Sequence, residues 1–150
     1  MENYQETLRW IKDARDCCER ADRCLSERDW RGTVQNAQLT IELSVKSVIA
    51  FFEEPVWTHR PDRQLKMIID KNKEEIGKKF GQQMMEALPL LVDDTRIAAP
   101  WHGWSTYGKP REDGTGWAAA VDLCTREIAE DLMKRAQRAF TVAEKFLSEL

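Results

Sequence analysis

The feature that most constrains this chain is the three- and four-residue spacing of its apolar side chains over long stretches. The spacing is most regular near the C-terminal end, at Trp117, Val121, Cys124, Ile128, Leu132, Ala136, Ala139, Ala143, Phe146 and Leu150. Side chains spaced in this way lie on one face of an α-helix. The pattern therefore predicts one long helix over residues 117–150.

Two further helices are predicted in the first third of the chain. One covers residues 4–25 and ends in the stretch "SERDW", in which Ser26 and Asp29 are residue types that favour a helix N-terminus. The next covers residues 30–52, and its wide apolar stripe predicts burial on two sides. Within it Glu42 and Lys46 are four residues apart, the favourable order for a helical ion pair. We interpret them as a structural pair.

The middle of the chain predicts two more helices. Proline favours the first turn of a helix, so a short third helix is expected to begin near Pro61. The charged, glycine-containing stretch 71–79 is interpreted as a connection. A fourth helix is predicted over residues 80–99, with a kink or a split at Pro89.

Residues 100–116 contain two prolines and four glycines and are predicted to be a long non-helical loop. Loops of this length in a compact domain are usually functional or mobile. No strand pattern or repeat appears. The expected fold is an all-α, up-and-down helical bundle of about five helices, forming a single domain over residues 1–150. The wide apolar stripes on the second and last helices favour a homodimer.

Composition narrows the classes of protein. The net charge of −3 gives no overall attraction for nucleic acid, so contact with RNA would need a local basic patch. No apolar run approaches the roughly 18 residues of a membrane span, and the N-terminal "MENYQETLRW" lacks a signal pattern. These features favour a cytoplasmic protein with no membrane partner. The four cysteines are interpreted as reduced thiols and not as metal ligands.

The stretch "TRIAAPWHGWSTYGKP", residues 95–110, carries the residues best suited to chemistry. The imidazole of His102 can act as a general acid or base on a ribose 2′-hydroxyl. The guanidinium of Arg96 can bind phosphate and stabilise the charge that develops on its oxygens. The two would suffice for RNA cleavage without a metal or another cofactor, although an arginine and a histidine at this spacing also occur by chance.

Aromatic and basic residues surround His102. Trp101, Trp104 and Tyr107 could stack on unpaired bases, with Lys109 and Arg111 near the RNA backbone. The alternative is that these aromatic side chains only cover the core.

The second histidine of the chain, His59, follows the second predicted helix in "WTHRPD". Its expected role is a hydrogen bond that fixes the turn before the third helix. The alternative is a place in a binding cleft.

The order of these features resembles HEPN domains (higher eukaryotes and prokaryotes nucleotide-binding). The stretch "ERDWRGTVQNAQLTIELSVKSVIAFFEEP" is similar to the second HEPN helix, with its acidic–aromatic start, small residues and a Glu and a Lys four apart, here Asp29, Trp30, Ala37, Glu42 and Lys46. "WTHRPDRQLKMII" looks like the Thr-His start of the short third helix. Arg96 falls where HEPN sequences carry an arginine late in the fourth helix, and "WAAAVDLCTREIAEDLMKRAQRAF" fits the last helix.

The resemblance implies an all-α bundle that commonly forms a homodimer. Many HEPN proteins are ribonucleases with an arginine, four to six residues and then a histidine, and two copies of this motif face each other across the dimer. Arg96 and His102, with five residues between them, meet this spacing. Other HEPN proteins are toxins neutralised by a small nucleotidyltransferase partner, and a further group lacks the motif and serves in binding or assembly.

Because of two departures from the ribonuclease pattern, a catalytic and a non-catalytic domain are both retained as interpretations. Ile97 stands where a polar residue is usual, and Pro100 interrupts a spacer that is often helical. A HEPN group with an Arg-Tyr pairing and no regular histidine matches equally well. The sequence therefore predicts a domain that acts on or binds RNA, as a metal-independent ribonuclease or toxin-type component. The alternative is a non-catalytic module that binds a nucleotide or a partner protein.

Overall fold

The computed structural model describes residues 2–150, which form eight helices and one two-stranded hairpin. In chain order these elements are α1 (Glu2–Ser26), α2 (Trp30–Phe52), α3 (Asp62–Lys71), α4 (Lys73–Phe80), α5 (Gln82–Ala98), α6 (Trp101–Tyr107), β1 (Lys109–Pro110), β2 (Trp117–Ala118), α7 (Ala120–Leu123) and α8 (Arg126–Ser148). The predicted all-α class is confirmed. Within residues 2–150, no helix combines the length and the apolar character that a membrane span requires.

The α2 helix is the centre of the bundle. It packs against α1, α3, α5, α6 and α8, which explains its wide apolar stripe. Its start is fixed by Asp29, whose side chain accepts a hydrogen bond from the Gly32 amide at 2.8 Å. At its other end Phe51 meets Phe146 of α8 edge to face, and Phe146 stacks on Phe80 of α4 with ring centroids 4.3 Å apart. These rings join three helices in one apolar core.

The predicted connection over residues 71–79 is wrong, because the structure has a helix at Lys73–Phe80. Ile76 and Phe80, four residues apart, are both buried on one face of it. Acidic residues lie in its first turn and lysines in its last, the distribution that complements the helix dipole. Gly77 does not interrupt the helix, since packing against α5 outweighs its low helix propensity.

The predicted loop over residues 100–116 is also wrong in part. Pro100 has helical backbone angles and leads directly into α6, where a proline at the start loses no helical hydrogen bond. Gly108 ends α6 with a φ of 86°, and a Cβ at this position would collide with the Ala118 carbonyl oxygen. The remainder of the stretch forms the β1–β2 hairpin, which pairs Lys109 with Ala118.

The last helix begins later than predicted. Residues 117–123 form β2 and the short α7, and α8 starts only after Thr125, whose hydroxyl accepts a hydrogen bond from the Ile128 amide. The apolar spacing continued through this break although Trp117 and Val121 are exposed, and of the apolar positions on which the prediction rested before α8 only Cys124 is buried. Of the kink or split predicted at Pro89, the split does not occur: α5 runs through this exposed proline as one helix.

Candidate functional site

One face of α2 carries polar side chains inside the bundle. Gln38, Glu42 and Lys46 follow at four-residue steps, and each is at most 7% exposed. Lys46 Nζ donates to Glu42 Oε2 at 3.2 Å, and Gln38 Nε2 donates to Glu42 Oε1 at 3.1 Å. Charged groups are rarely buried unless they are paired, so this array is a built feature of the central helix.

Both histidines of the chain lie against this array. His59 comes from the loop between α2 and α3, and its Nδ1 is 3.0 Å from Glu42 Oε1. His102 comes from the first turn of α6, and its Nδ1 is 3.1 Å from Gln38 Oε1. The two rings stack on each other, with centroids 3.6 Å apart and planes 20° from parallel. We call this arrangement the histidine pair.

The hydrogen-bond network assigns the ring nitrogens. Gln38 directs its amide nitrogen to Glu42, so its oxygen faces His102, and that oxygen can only accept. The Glu42 carboxylate likewise only accepts from His59. Each Nδ1 therefore carries a proton when the ring is neutral, and each Nε2 keeps a lone pair for another partner.

Electrostatics separates the two imidazoles. Burial lowers the pKa of His102 below its usual value, and the adjacent His59 ring lowers it further, against the opposing effect of the Glu42 carboxylate. His102 is therefore neutral near pH 7 and able to accept a proton. The His59 side chain is 57% exposed and in direct contact with a buried carboxylate.

Side chains of α2 hold α6 in place. Arg31 donates to the carbonyl oxygens of Ser105 and Thr106 at 2.8 and 3.1 Å, and Gln35 donates to that of Ser105 at 3.1 Å. These carbonyls belong to the last turn of α6, where no N–H donor of the same helix is left to pair with them. The α2 helix thus sets the position of His102, because it contacts both the end of α6 and the His102 ring.

The loop that carries His59 is held from α3. The Gln64 side chain accepts from the Val56 amide and donates to the Glu54 carbonyl, each at 2.9 Å. The Thr58 hydroxyl accepts from the Arg60 amide at 3.0 Å. These bonds fix the backbone on both sides of His59.

Each member of the histidine pair borders a different cavity. His59 lines a cavity of about 540 Å³ together with Arg9, Trp10, Lys46 and Trp57, among others. His102 lines a smaller cavity of about 240 Å³, whose other walls are mainly amide and hydroxyl side chains from α2 and α6. Glu6 and Glu54 also line the first cavity, and Glu6 pairs with Arg9 at 2.9 Å. One ring therefore faces an aromatic cavity of mixed charge, and the other faces a neutral polar one.

Trp57 is the most exposed aromatic residue at the site. Its side chain is 98% exposed, which leaves both faces of the indole open to solvent. Trp10, by contrast, lies under Arg9, whose guanidinium is 4.5 Å from the ring centroid, and near Lys46 at 5.5 Å. Trp57 is thus available to stack on a planar ligand.

Arg96 and His102 lie in different surroundings. The Arg96 guanidinium is exposed and pairs with Asp93, one turn earlier on α5, at 2.8 Å. Among the described residues no hydrogen bond or salt bridge joins Arg96 to His102, which contacts Gln38 and His59 instead. Both residues were named from the sequence, but their contacts within one chain are separate.

The aromatic and basic residues predicted around His102 divide into two groups. Trp101 and Trp104 meet edge to face at 5.3 Å, and Lys109 Nζ lies 4.3 Å above the Trp104 ring, so these three side chains mainly contact each other and the bundle. Tyr107, at the end of α6, and Arg111, in the hairpin, are exposed. Only the second group is free to contact another molecule without rearrangement.

Most of the array beneath the histidine pair was not predicted from the sequence. Glu42 and Lys46 were expected to be a structural pair, and Gln38 was not a candidate. His59 was expected to fix the turn, with a binding cleft as the alternative. The available signal was the four-residue spacing of Gln38, Glu42 and Lys46 in a helix whose wide apolar stripe predicts burial on two sides. A polar stripe inside a central helix indicates either a partner or a site.

A metal ion does not fit the histidine pair as it stands. One ligand atom each from Glu42, His59 and His102 lie within 4.8 Å of one another. A zinc ion would need to lie about 2.0–2.1 Å from each nitrogen and in each ring plane. Nearly parallel rings 3.6 Å apart direct their lone pairs side by side, so these do not converge on one point.

A cysteine nucleophile finds no support in the thiol environments. Burial raises the pKa of all four thiols, at Cys17, Cys18, Cys24 and Cys124. Such thiols are largely protonated near pH 7 and react slowly.

Comparison with known families identifies the fold. The family model described as HEPN domain matches residues 7–146, which covers nearly the whole chain. No curated protein and no solved structure matches the chain. The resemblance drawn from the order of sequence motifs is confirmed.

Proposed function

The chain belongs to the HEPN domain family, and we propose that it binds single-stranded RNA at the histidine pair and cleaves it without a metal ion. The observation that carries this proposal is the stacking of two imidazoles, each with a free Nε2, over the buried Gln38–Glu42–Lys46 array. A surface histidine without such support would have no fixed orientation.

His102 acts as the general base. Its neutral Nε2 takes the proton from a ribose 2′-hydroxyl, and the resulting oxygen attacks the adjacent phosphorus. The bond from phosphorus to the 5′-oxygen of the next nucleotide breaks, leaving a 2′,3′-cyclic phosphate and a 5′-hydroxyl. The chemistry needs positioned proton transfer and stabilisation of charge on the phosphate oxygens, both of which side chains can supply.

Arg96 is proposed to reach the phosphate from a second copy of the chain in a homodimer. Its guanidinium is exposed, and Leu90 and Ile97 on the same helix leave exposed apolar surface that a second copy would cover. Arginine binds phosphate through a planar fork of donors, so a bound strand competes well with the exposed Asp93 pairing.

RNA contacts extend over the segment around α6. Tyr107 and Arg111 contact the strand directly, by stacking on a base and by pairing with phosphate. Trp101, Trp104 and Lys109 form the support on which these residues and His102 are held.

The test is cleavage of single-stranded RNA by the wild type and by His102→Ala, in chelator and between about pH 6 and about pH 8. We expect cleavage by the wild type and its loss in the variant, with Asp122→Ala, an exposed change in α7, as the matched control. Intact RNA with the wild type, or equal cleavage by His102→Ala, would exclude the ribonuclease. Light scattering that shows a monomer at micromolar concentration would exclude the composite site with Arg96.

A non-catalytic binding module is the second candidate. It is favoured by the Arg96–Asp93 pairing, which leaves the phosphate-binding group away from His102 in one chain. In this case the cavity lined by His59 and Trp57 binds a nucleotide, or the domain docks on a nucleotidyltransferase partner as a toxin-type component. A nucleotide that raises the melting temperature of wild type and His102→Ala alike, with no RNA cleavage by either, would favour this candidate.

A further inference from the structure

Cleavage of RNA by transesterification requires two proton transfers. One proton leaves the attacking 2′-hydroxyl, and one must arrive at the departing 5′-oxygen, because an alkoxide is a poor leaving group. His102 accounts for the first transfer only. The second group should lie within hydrogen-bond reach of the same phosphate.

We propose that His59 is this second catalytic residue, the general acid that protonates the 5′-oxygen as its bond to phosphorus breaks. The inference rests on the proposed function and adds to it a named acid within the same chain. In the balanced step, His102 Nε2 gains the 2′-hydroxyl proton and His59 Nε2 gives its proton to the 5′-oxygen. No oxidant, reductant or metal ion takes part.

The stacked geometry suits a base at His102 and an acid at His59. Displacement at phosphorus places the attacking and leaving oxygens on opposite sides of the phosphorus atom, a few ångströms apart. The two imidazoles present their edges side by side, with centroids 3.6 Å apart and planes 20° from parallel. When the attacking oxygen, the phosphorus and the leaving oxygen lie along the stacking direction, the His102 edge can reach the attacking oxygen and the His59 edge the leaving oxygen.

The partners of the two Nδ1 atoms assign the roles. The Nδ1 of His59 faces the Glu42 carboxylate, which stabilises an imidazolium as the buried carboxylate of a catalytic triad does. The Nδ1 of His102 faces the neutral amide of Gln38. The contact with a carboxylate suits His59 to the role of the acid, and the contact with a neutral amide suits His102 to that of the base.

The stack also limits the two rings to one positive charge. Two imidazolium rings in face-to-face contact would repel each other, and Lys46 adds a further positive charge beside Glu42. The reaction respects this limit, because His102 gains a proton as His59 loses one. The pair carries one positive charge before cleavage and one after it, so its total charge does not change.

The two cavities give the strand a direction. The nucleotide that carries the attacking 2′-hydroxyl lies on the His102 side, against amide and hydroxyl groups. The leaving nucleotide lies on the His59 side, where Trp57 can stack on its base.

The experiment compares two substrates, single-stranded RNA and the nitrophenyl ester of uridine 3′-phosphate, whose leaving group departs without protonation. We expect His59→Asn to lower kcat on RNA by about 100-fold or more and to leave the rate on the ester near that of the wild type. His102→Asn should lose activity on both substrates. Arg60→Gln, an exposed change next to His59, serves as the control.

Glu42 has a positioning role, and the pH profile separates that role from stability. The wild type should show a bell-shaped dependence of kcat/KM on pH, and His59→Asn should lose the decline at high pH. Glu42→Gln should shift the profile and keep activity on the ester.

The outcomes separate this inference from the function on which it rests. RNA cleavage by His59→Asn at the wild-type rate would overturn the role of His59 and leave that of His102 intact. An equal loss on both substrates in His59→Asn would also overturn it, because a structural residue gives that result. A wild type that cleaves neither substrate would refute the proposed ribonuclease, and the inference with it.

Discussion

Asp94 in α5 and Glu42 in α2 are both buried carboxylates, but their partners differ. Asp94 is 0% exposed and accepts hydrogen bonds from Arg135 and Arg138 of α8. Both arginines keep their charge at any accessible pH: hydrogen bonds to Asp131 and Asp94 raise the pKa of Arg135, and those to Asp94 raise the pKa of Arg138. Asp94, Arg135 and Arg138, which we call the Asp94 cluster, therefore form an ionic contact between α5 and α8 that does not change with pH in the physiological range.

Glu42 is satisfied by a lysine, an amide and a histidine, and only the histidine can exchange a proton near pH 7. That histidine stacks on another, and the two border separate cavities. A buried charge alone thus says little about function. The distinguishing features are a partner that can exchange protons and open space beside it.

The largest effect that would test this contrast is the loss of stability in Asp94→Ala. The change leaves two guanidinium groups without their buried acceptor, although both are partly exposed and can regain water. We expect unfolding in urea to show a loss of roughly 2–3 kcal/mol, somewhat below the value for a fully buried pair. RNA cleavage by the folded protein should be unchanged.

Asp93→Ala is the matched control, since Asp93 precedes Asp94 and pairs with Arg96 at the surface. Exposed pairs contribute about 0.2–1 kcal/mol, so this change should have little effect on stability. Equal stability of the two variants would contradict a structural role for Asp94.

Glu42→Gln should have a smaller effect on stability and a larger one on the site. Glutamine keeps an acceptor for Lys46 but removes the charge, and we expect a loss of about 1–2 kcal/mol. Because the Glu42 carboxylate raises the pKa of His102, its removal should lower that pKa further. The measurement is an NMR titration of the His102 ring in wild type and variant.

Glu130→Gln, which alters an exposed ion pair with Arg126, provides the comparison. It should leave both stability and the His102 titration unchanged. A His102 pKa that rises in Glu42→Gln would show that the carboxylate does not act on the pair as the contacts indicate.

The contrast between the two carboxylates also shows what the sequence could predict. Asp93 and Asp94 are adjacent in sequence but point to solvent and to the core, because successive residues of a helix face different directions. The apolar spacing predicted α1, α2, α3 and much of α8, since it depends only on neighbours along one helix. It missed α4, where Gly77 suggested a break, and α6, where Pro100 did.

The site was predictable only in part, for a related reason. Spacing along the chain made His102 a candidate but could not reveal Gln38, which is 64 residues away in sequence. It also suggested Arg96 as a partner, although the turn at Ala99 and Pro100 separates α5 from α6. Which side chains of α2 lie under which loop is decided by packing, and one sequence carries little information about it.

Trp57→Ala should weaken RNA binding with almost no effect on stability. The side chain is 98% exposed, so its loss should change the free energy of unfolding by less than about 0.5 kcal/mol. Stacking on a base contributes about 1–3 kcal/mol, which predicts roughly tenfold or greater weakening in fluorescence anisotropy. Trp117→Ala, an exposed tryptophan of the hairpin, should bind RNA as the wild type does. Equal weakening in the two variants would show that the cavity beside His59 has no special role.

The smallest expected effect is a dependence of stability on pH that involves the histidine pair and not the Asp94 cluster. The pKa of His102 is lowered in the folded chain, so the unfolded chain binds a proton at this ring more readily. The free energy of unfolding should therefore decrease as the pH falls below about 6.5. Thermal unfolding between about pH 7.5 and about pH 5 should therefore show a shallower loss of stability in His102→Gln than in the wild type. Asp94→Ala should keep the wild-type slope, because its arginine partners do not titrate in this range. If His102→Gln loses stability as steeply as the wild type, the burial and stacking of His102 do not disfavour its charged form.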